Sequence, residues 1–226
     1  MITPQPDQII DITHAIGPDM NVWPGDTPLS REVLMSREAG DPVTLSTIRS
    51  TVHLGTHADG TNHYARADEG GVGIGLLPLT HFLGPCTVLD VRVPRAQRAT
   101  PAHVGAALHA PIQPRVLLRT GTFPDFRTWN ADFAALSVEL VEALASRGVL
   151  TIGVDTPSVD LQDSKTLEAH RAIFRARIAI LEGLNLAAVA PGDYTLIALP
   201  LRLNEFDASP VRAVLLPLGR SQPGAD

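Results

Sequence analysis

Three histidines and one aspartate fall within eleven residues of a 226-residue chain: His53-Leu-Gly-Thr-His57-Ala-Asp59-Gly-Thr-Asn-His63. Imidazole nitrogens and a carboxylate are natural donors for Zn²⁺ or Mn²⁺, and a catalytic site of this kind keeps a position open for water. A bound divalent ion can polarise a carbonyl and lower the pKa of a coordinated water toward about 7. From the residues alone, the chemistry is metal-assisted hydrolysis. On a strand, residues two apart share a face, so His53, Gly55, His57 and Asp59 would point together, with Gly55 leaving room for a metal or substrate near the backbone. On a helix, His53 and His57 would align at i and i+4. Gly55 and Gly60, with the β-branched Thr51, Val52, Thr56 and Thr61, favour a strand running into a loop.

The elements that must position this cluster are mostly short strands. Residues 9–13, 43–53, 86–93, 115–120, 149–154, 193–199 and 211–216 are β-branched or apolar runs bounded by turn residues, and read as strands. Residues 134–147 place Leu136, Leu140, Val141 and Leu144 at helical spacing, with Ser137 as N-cap and Gly148 as stop. A second helix starts near Ser164 and carries Leu167, His170 and Phe174; the following ARIAILEGL continues it or turns into a strand. In the loop 21–28, Pro24-Gly25 suits a tight turn that displays Trp23. Prolines and glycines are spread along the chain rather than massed in a linker, so one domain over 1–219 is expected, with 220–226 a mobile tail.

Composition narrows the function classes. At 44% hydrophobic residues the chain can bury a core, and its net charge of −6 offers no footprint for nucleic acid or an anionic membrane. A single cysteine, Cys86, excludes an internal disulfide framework and reads as a buried core residue. The N-terminal MITPQPDQII has no basic region followed by an apolar stretch, so a cytoplasmic protein is expected. Gly70, Gly71, Gly73 and Gly75 fit no phosphate-loop pattern and read as a flexible loop. No G-x-S-x-G elbow is present, which disfavours a serine-hydrolase route to amide cleavage. His14, His81, His103 and His109 read as structural or surface residues. Asp155 and Ser158, at a strand end, are expected to line the pocket without an assigned role.

The run HLGTHADGTNH resembles the motif H-x-G-T-H-x-D-x-P-x-H of the cyclase-like metal-dependent hydrolases. The segments VWPGDTP (22–28), GVDTPSVDLQDSKTLEAH (153–170), LEGLNL (181–186) and GDYTLIALPL with DASPVRAVL (192–215) are similar to the bacterial kynurenine formamidases within that family. Thr61 stands where the family has proline, which leaves the loop before His63 less constrained.

The resemblance implies an α/β fold, a swivelling β/β/α-type single domain with a mixed, barrel-like sheet and few helices. It implies two Zn²⁺ per subunit, with Mn²⁺ as the other candidate. His53, His57 and Asp59 hold the first ion; Asp59 bridges to a second held also by His170 and Glu182. His63 is the general acid/base and Trp23 contacts substrate. The implied reaction is hydrolysis of N-formyl-L-kynurenine to L-kynurenine and formate by a homo-oligomer, dimer or tetramer. Other readings are a family hydrolase acting on a cyclic amide, imide or ester of isatin type, and a noncatalytic metal-binding module.

Overall fold

The computed structural model describes residues 9–218. Along the chain the strands are β1 (Ile10–Asp11), β2 (Ser30–Met35), β3 (Leu45–Arg49), β4 (His57–Asp59), β5 (Leu83–Asp90), β6 (Arg98–Ala99), β7 (Arg115–Arg119), β8 (Ala135–Leu136), β9 (Thr151–Val154), β10 (Ala179–Glu182), β11 (Gly192–Ile197), β12 (Ala208–Pro210) and β13 (Val214–Pro217). Three helices accompany them: α1 (Pro101–Val104), α2 (Val138–Ala145) and α3 (Glu168–Ala176). Nine strands form one curled, mixed sheet in the order β1-β13-β11-β5-β7-β9-β10-β4-β12. This is the single-domain α/β architecture expected from the sequence, with few helices; residues 220–226 lie outside the described residues.

The centre of the sheet is parallel. β5 pairs with β7, β7 with β9 and β9 with β10. Each crossover between them carries a helix, as parallel neighbours require. Strands covered on both faces need no polar alternation, and every residue of β9 and β10 is buried. On one side Val116, Leu118, Ile152 and Ile180 pack with Leu140, Leu144 and Ile173 of α2 and α3. On the other, Val88, Leu117 and Leu181 pack with Phe82, Leu184, Leu196 and Leu215. Cys86 lies in this second core. Truncating one of these fully buried leucines to alanine costs about 2–5 kcal/mol.

Several boundaries differ from the expectation. The 134–147 segment is a strand followed by a helix. β8 takes Ala135 and Leu136, and α2 begins only after Ser137, whose side chain accepts the Leu140 N–H at 3.2 Å. Gly148 stops it in a left-handed conformation at φ 75°. ARIAILEGL resolves into a helix end and a strand: Arg177 turns left-handed at φ 57° and β10 follows. The 43–53 strand is only β3, which forms with β2 a separate hairpin exposed over nearly its whole length. The 70–75 glycines do not form a loose loop. Ile74 N–H donates to the Phe206 carbonyl at 2.9 Å and Gly75 N–H to that of Leu203 at 3.1 Å, tying short 3₁₀ turns to the segment before β12.

Candidate metal centre

Two antiparallel pairings bring the motif to the end of the parallel sheet. β4 pairs with β10 so that His57 lies opposite Glu182, and with β12 so that Asp59 lies opposite Ala208. On β4, His57 and Asp59 are two apart and share a face, as expected. His53 does not join them by strand alternation. The strand covers only 57–59, and Gly55, at φ 57°, turns the chain before it. Gly55 admits no ligand. A Cβ there would meet Met20 at 3.1 Å, and its carbonyl packs so close to Gly183 that a Cβ on Gly183 would lie 2.2 Å away. His53 reaches the cluster from the preceding loop.

The five expected donors do converge. His53 Nδ1 lies 3.2 Å and His57 Nε2 3.4 Å from Asp59 Oδ1, while His170 Nε2 lies 3.6 Å from Asp59 Oδ2. Glu182 closes the ring: Oε2 is 3.4 Å from His57 Nε2 and Oε1 is 3.7 Å from His170 Nε2. His170 comes from α3 and Glu182 from the end of β10, where the Val159 N–H donates to Oε1 at 2.8 Å.

Each imidazole is held from behind. His57 Nδ1–H donates to the Gly55 carbonyl at 2.9 Å, His170 Nδ1–H to Asp160 Oδ2 at 2.8 Å, and His53 Nε2–H to Asp207 Oδ2 at 3.0 Å. These bonds leave the opposite nitrogen of every ring turned toward the Asp59 and Glu182 carboxylates, the arrangement that fixes metal-ligating histidines. Asp160 is itself locked by Arg98 at 2.7 Å and by the Ala169 and His170 N–H groups.

The electrostatics call for positive charge. Burial disfavours charge on His57, yet the Asp59 and Glu182 carboxylates outweigh it and raise its pKa to about 10; His170, buried beside Asp160, Asp59 and Glu182, likewise rises to about 10. Asp59 is pushed up by burial but held well below the usual carboxylate range by His170, His53 and His57. Both Asp59 oxygens and His57 Nε2 are buried without a hydrogen-bond partner. Orphaned donors of this kind cost several kcal/mol unless paired. A divalent cation between Asp59 and the inward-facing nitrogens answers that need, so the residues fit the metal that the motif implies. His53, His57 and Asp59 lie within coordinating reach of one another, as do Asp59, His63 and His170, and His53, His63 and Asp207.

His63 stands on the 3₁₀ turn after β4 and lines the cavity, its ring 4.2 Å from that of His53. Burial holds its pKa below the usual histidine value, which keeps the ring neutral. Thr61 begins this turn, where a proline would fit. Its hydroxyl accepts the Val72 N–H at 2.8 Å, and Asn62 N–H returns a bond to the Val72 carbonyl. The loop is therefore tethered rather than loosened by the missing proline.

A cavity of about 240 Å³ opens onto these groups. Trp23 forms its wall with Phe126 and Trp129, and the Trp23 and Trp129 rings meet edge to face at 5.6 Å. Asp26 N–H donates to the Trp23 carbonyl at 2.9 Å and Gly25 has φ 94°, so one β-turn presents both Trp23 and Asp26 to the cavity. Ser158 lines it too, whereas Asp155 lies on a separate groove of about 680 Å³ and accepts the Thr120 and Gly121 N–H groups. That groove is larger but lacks a set of converging metal donors among the described residues. His81 Nδ1–H donates to the Leu150 carbonyl at 2.8 Å, and His103 caps α1 with Thr100, consistent with structural roles.

The sequence reading missed Asp160, Asp207, Phe126, Trp129 and Tyr64, whose buried hydroxyl has no partner beside His170. Asp160 and Asp207 did lie inside segments that resemble the family, but a carboxylate behind a histidine leaves no spacing signature.

The comparisons agree with this picture. A protein described as a potential metal-dependent hydrolase with cyclase activity shares 26% identity, with a TM-score of 0.76 over 92% of this chain and 96% of its own. One from Bacillus stearothermophilus, described as a predicted metal-dependent hydrolase, shares 27% identity, with a TM-score of 0.75 over 92% and 97%. Isatin hydrolase A from Labrenzia aggregata shares the fold at 21% identity and a TM-score of 0.77, over 92% and 93%. The Cyclase family model matches residues 10–161, a span that contains the whole His53–His63 motif and more than half of the sequence, and the chain belongs to the Cyclase family.

Proposed function

We propose that this chain is a metal-dependent amidohydrolase that cleaves N-formyl-L-kynurenine to L-kynurenine and formate. The observation that carries the hydrolase reading is the buried, orphaned donor set of Asp59 and His57, ringed by His53, His170 and Glu182 beside an aromatic cavity. His53, His57 and Asp59 would hold one ion, and Asp59, His170 and Glu182 a second, with Asp59 offering one oxygen to each side. The proposed ions are two Zn²⁺, with Mn²⁺ accepted by the same donors. When bound, they supply Lewis-acid polarisation of the amide oxygen and a lowered pKa for water.

The remaining work falls to the protein. His63, neutral and facing the cavity, takes a proton from the attacking water and returns it to the leaving aniline nitrogen, so the C–N bond breaks without expelling an anilide. Trp23, with Phe126 and Trp129, offers an aromatic surface to the substrate's aryl ring. Asp26, at the other end of the Trp23 turn, is placed to meet an ammonium group.

A second reading is hydrolysis of an uncharged cyclic aryl amide of isatin type. It is favoured by the cavity lining, which among the described residues includes no lysine or arginine to receive a kynurenine carboxylate. Parallel assays of N-formyl-L-kynurenine and isatin, each with and without chelator, test both. Chelator-sensitive formate release supports the first, and turnover of isatin alone moves the assignment to the second. Bound metal without turnover of either would leave a binding module. The proposed protein is cytoplasmic and a homo-oligomer, dimer or tetramer, acting on a small molecule without nucleic-acid or membrane partners. Among the described residues no helix is long and apolar enough to cross a membrane. Light scattering that finds only a 24.1 kDa species would remove the oligomer.

A further inference from the structure

Asp207 sits at a junction that the motif does not reveal. It directly precedes β12, and the Gly60 N–H donates to its carbonyl at 2.8 Å, so the β4–β12 pairing delivers its side chain beside the histidine motif. Its Oδ2 accepts the His53 Nε2–H at 3.0 Å and lies 3.8 Å from His63 Nδ1. The carboxylate is 47% exposed and the His63 side chain 35% exposed, and His63 lines the cavity while Asp207 stands behind it.

A histidine base needs one defined tautomer. It must carry its proton on the nitrogen away from the reaction and keep the other nitrogen free to accept, and a carboxylate behind the ring is the usual physical means. At 3.8 Å the His63 contact is longer than a hydrogen bond, and catalytic hydrogen bonds that are long without substrate tighten in the substrate complex. No other carboxylate is paired with His63 Nδ1 among the described residues.

We propose that Asp207 is the positioning residue of His63: it holds the proton on Nδ1 and leaves Nε2 as the accepting nitrogen, while also fixing the tautomer of His53. One carboxylate thereby couples a metal-ligand histidine to the proposed base. The inference rests on the assignment of His63 as base, and its test separates the two.

In full-length, Zn²⁺-loaded protein, ¹⁵N spectra of the imidazoles are expected to show His63 protonated on Nδ1, with Asp207→Asn moving it toward the Nε2–H tautomer. An unchanged His63 tautomer overturns the proposal whether or not any substrate is turned over. With N-formyl-L-kynurenine at saturating Zn²⁺, Asp207→Asn is expected to lower kcat roughly tenfold to hundredfold while KM moves less than about threefold. Asp207→Glu, which keeps the charge, is expected to recover part of that loss. In a His63→Ala background, Asp207→Asn should cause a much smaller fall, the part that passes through His53. An equal fall in both backgrounds means that Asp207 acts only through His53, and overturns the proposal. Failure of the wild-type protein to hydrolyse any aryl amide instead defeats the functional reading, with the spectra still deciding the orientation.

Discussion

The donor centre and the cavity mouth are built differently. His57, Asp59, His170 and Glu182 stand on β4, α3 and β10, are nearly fully buried, and are aimed by backbone pairing or by a partner behind the ring. Trp23 and Asp26 stand on one turn with part of their surface in solvent. Ligand geometry must be held within fractions of an ångström, which regular elements provide. Substrate selection tolerates more movement, and loops supply it. Changes at the centre should therefore abolish function, and changes at the mouth should retune it.

The largest expected effect is at the centre. His57→Ala removes an inward-facing nitrogen and leaves Asp59 and Glu182 short of positive charge, so metal content and activity should both fall to background. Elemental analysis beside the activity assay checks this, and a metal-replete, active variant would break the contrast. His63→Ala comes next: kcat should drop about 10²–10⁴-fold with metal still bound. Near-normal turnover would refute its role as base.

Asp160→Asn is intermediate, because it loosens His170 without removing a ligand. Metal affinity should weaken about 10–100-fold, read by competition with a chromogenic chelator. Burial raises the Asp160 pKa, but His170 and Arg98 more than offset this and bring it to about 2, below its unfolded value of 3.8. A depressed carboxylate stabilises the fold fully above the unfolded pKa and loses that contribution as pH falls from about 4 toward 2. Melting temperatures should decline over that window, and Asp160→Asn should flatten the decline.

The smallest effects belong at the mouth. Trp23→Ala should raise KM for aryl substrates roughly tenfold with little change in metal content. Asp26→Asn should raise KM for N-formyl-L-kynurenine but not for formanilide, which has no ammonium group. An equal change for both would remove Asp26 from substrate selection.

The same division governs what could be read from the sequence. Buried parallel strands are continuous apolar runs, so β7 and β9 were visible, and α2 was visible through the spacing of Leu140, Val141 and Leu144, whereas β10 stayed open because ARIAILEGL suits a helix end and a strand alike. The split of 134–147 was not, because Ala135 and Leu136 suit a short strand and a helix equally. The 53–63 cluster announced its chemistry through residue types. His170 and Glu182 required the family resemblance, since only the pairing of β4 with β10 and the packing of α3 bring them within reach. Asp207 and Asp160 act through the far nitrogens of histidines over 154 and 10 residues of separation, a relation that no local pattern encodes.

The pairing of β4 with β12 has a consequence for how the molecule is made. Asp59 is translated early, yet its strand neighbour is Ala208, and His53 gains its Asp207 partner only with that same segment. A nascent chain leaving the ribosome cannot complete the pocket until the segment carrying Asp207 and Ala208 has emerged, so the proposed cation would be loaded only once β12 has docked on β4.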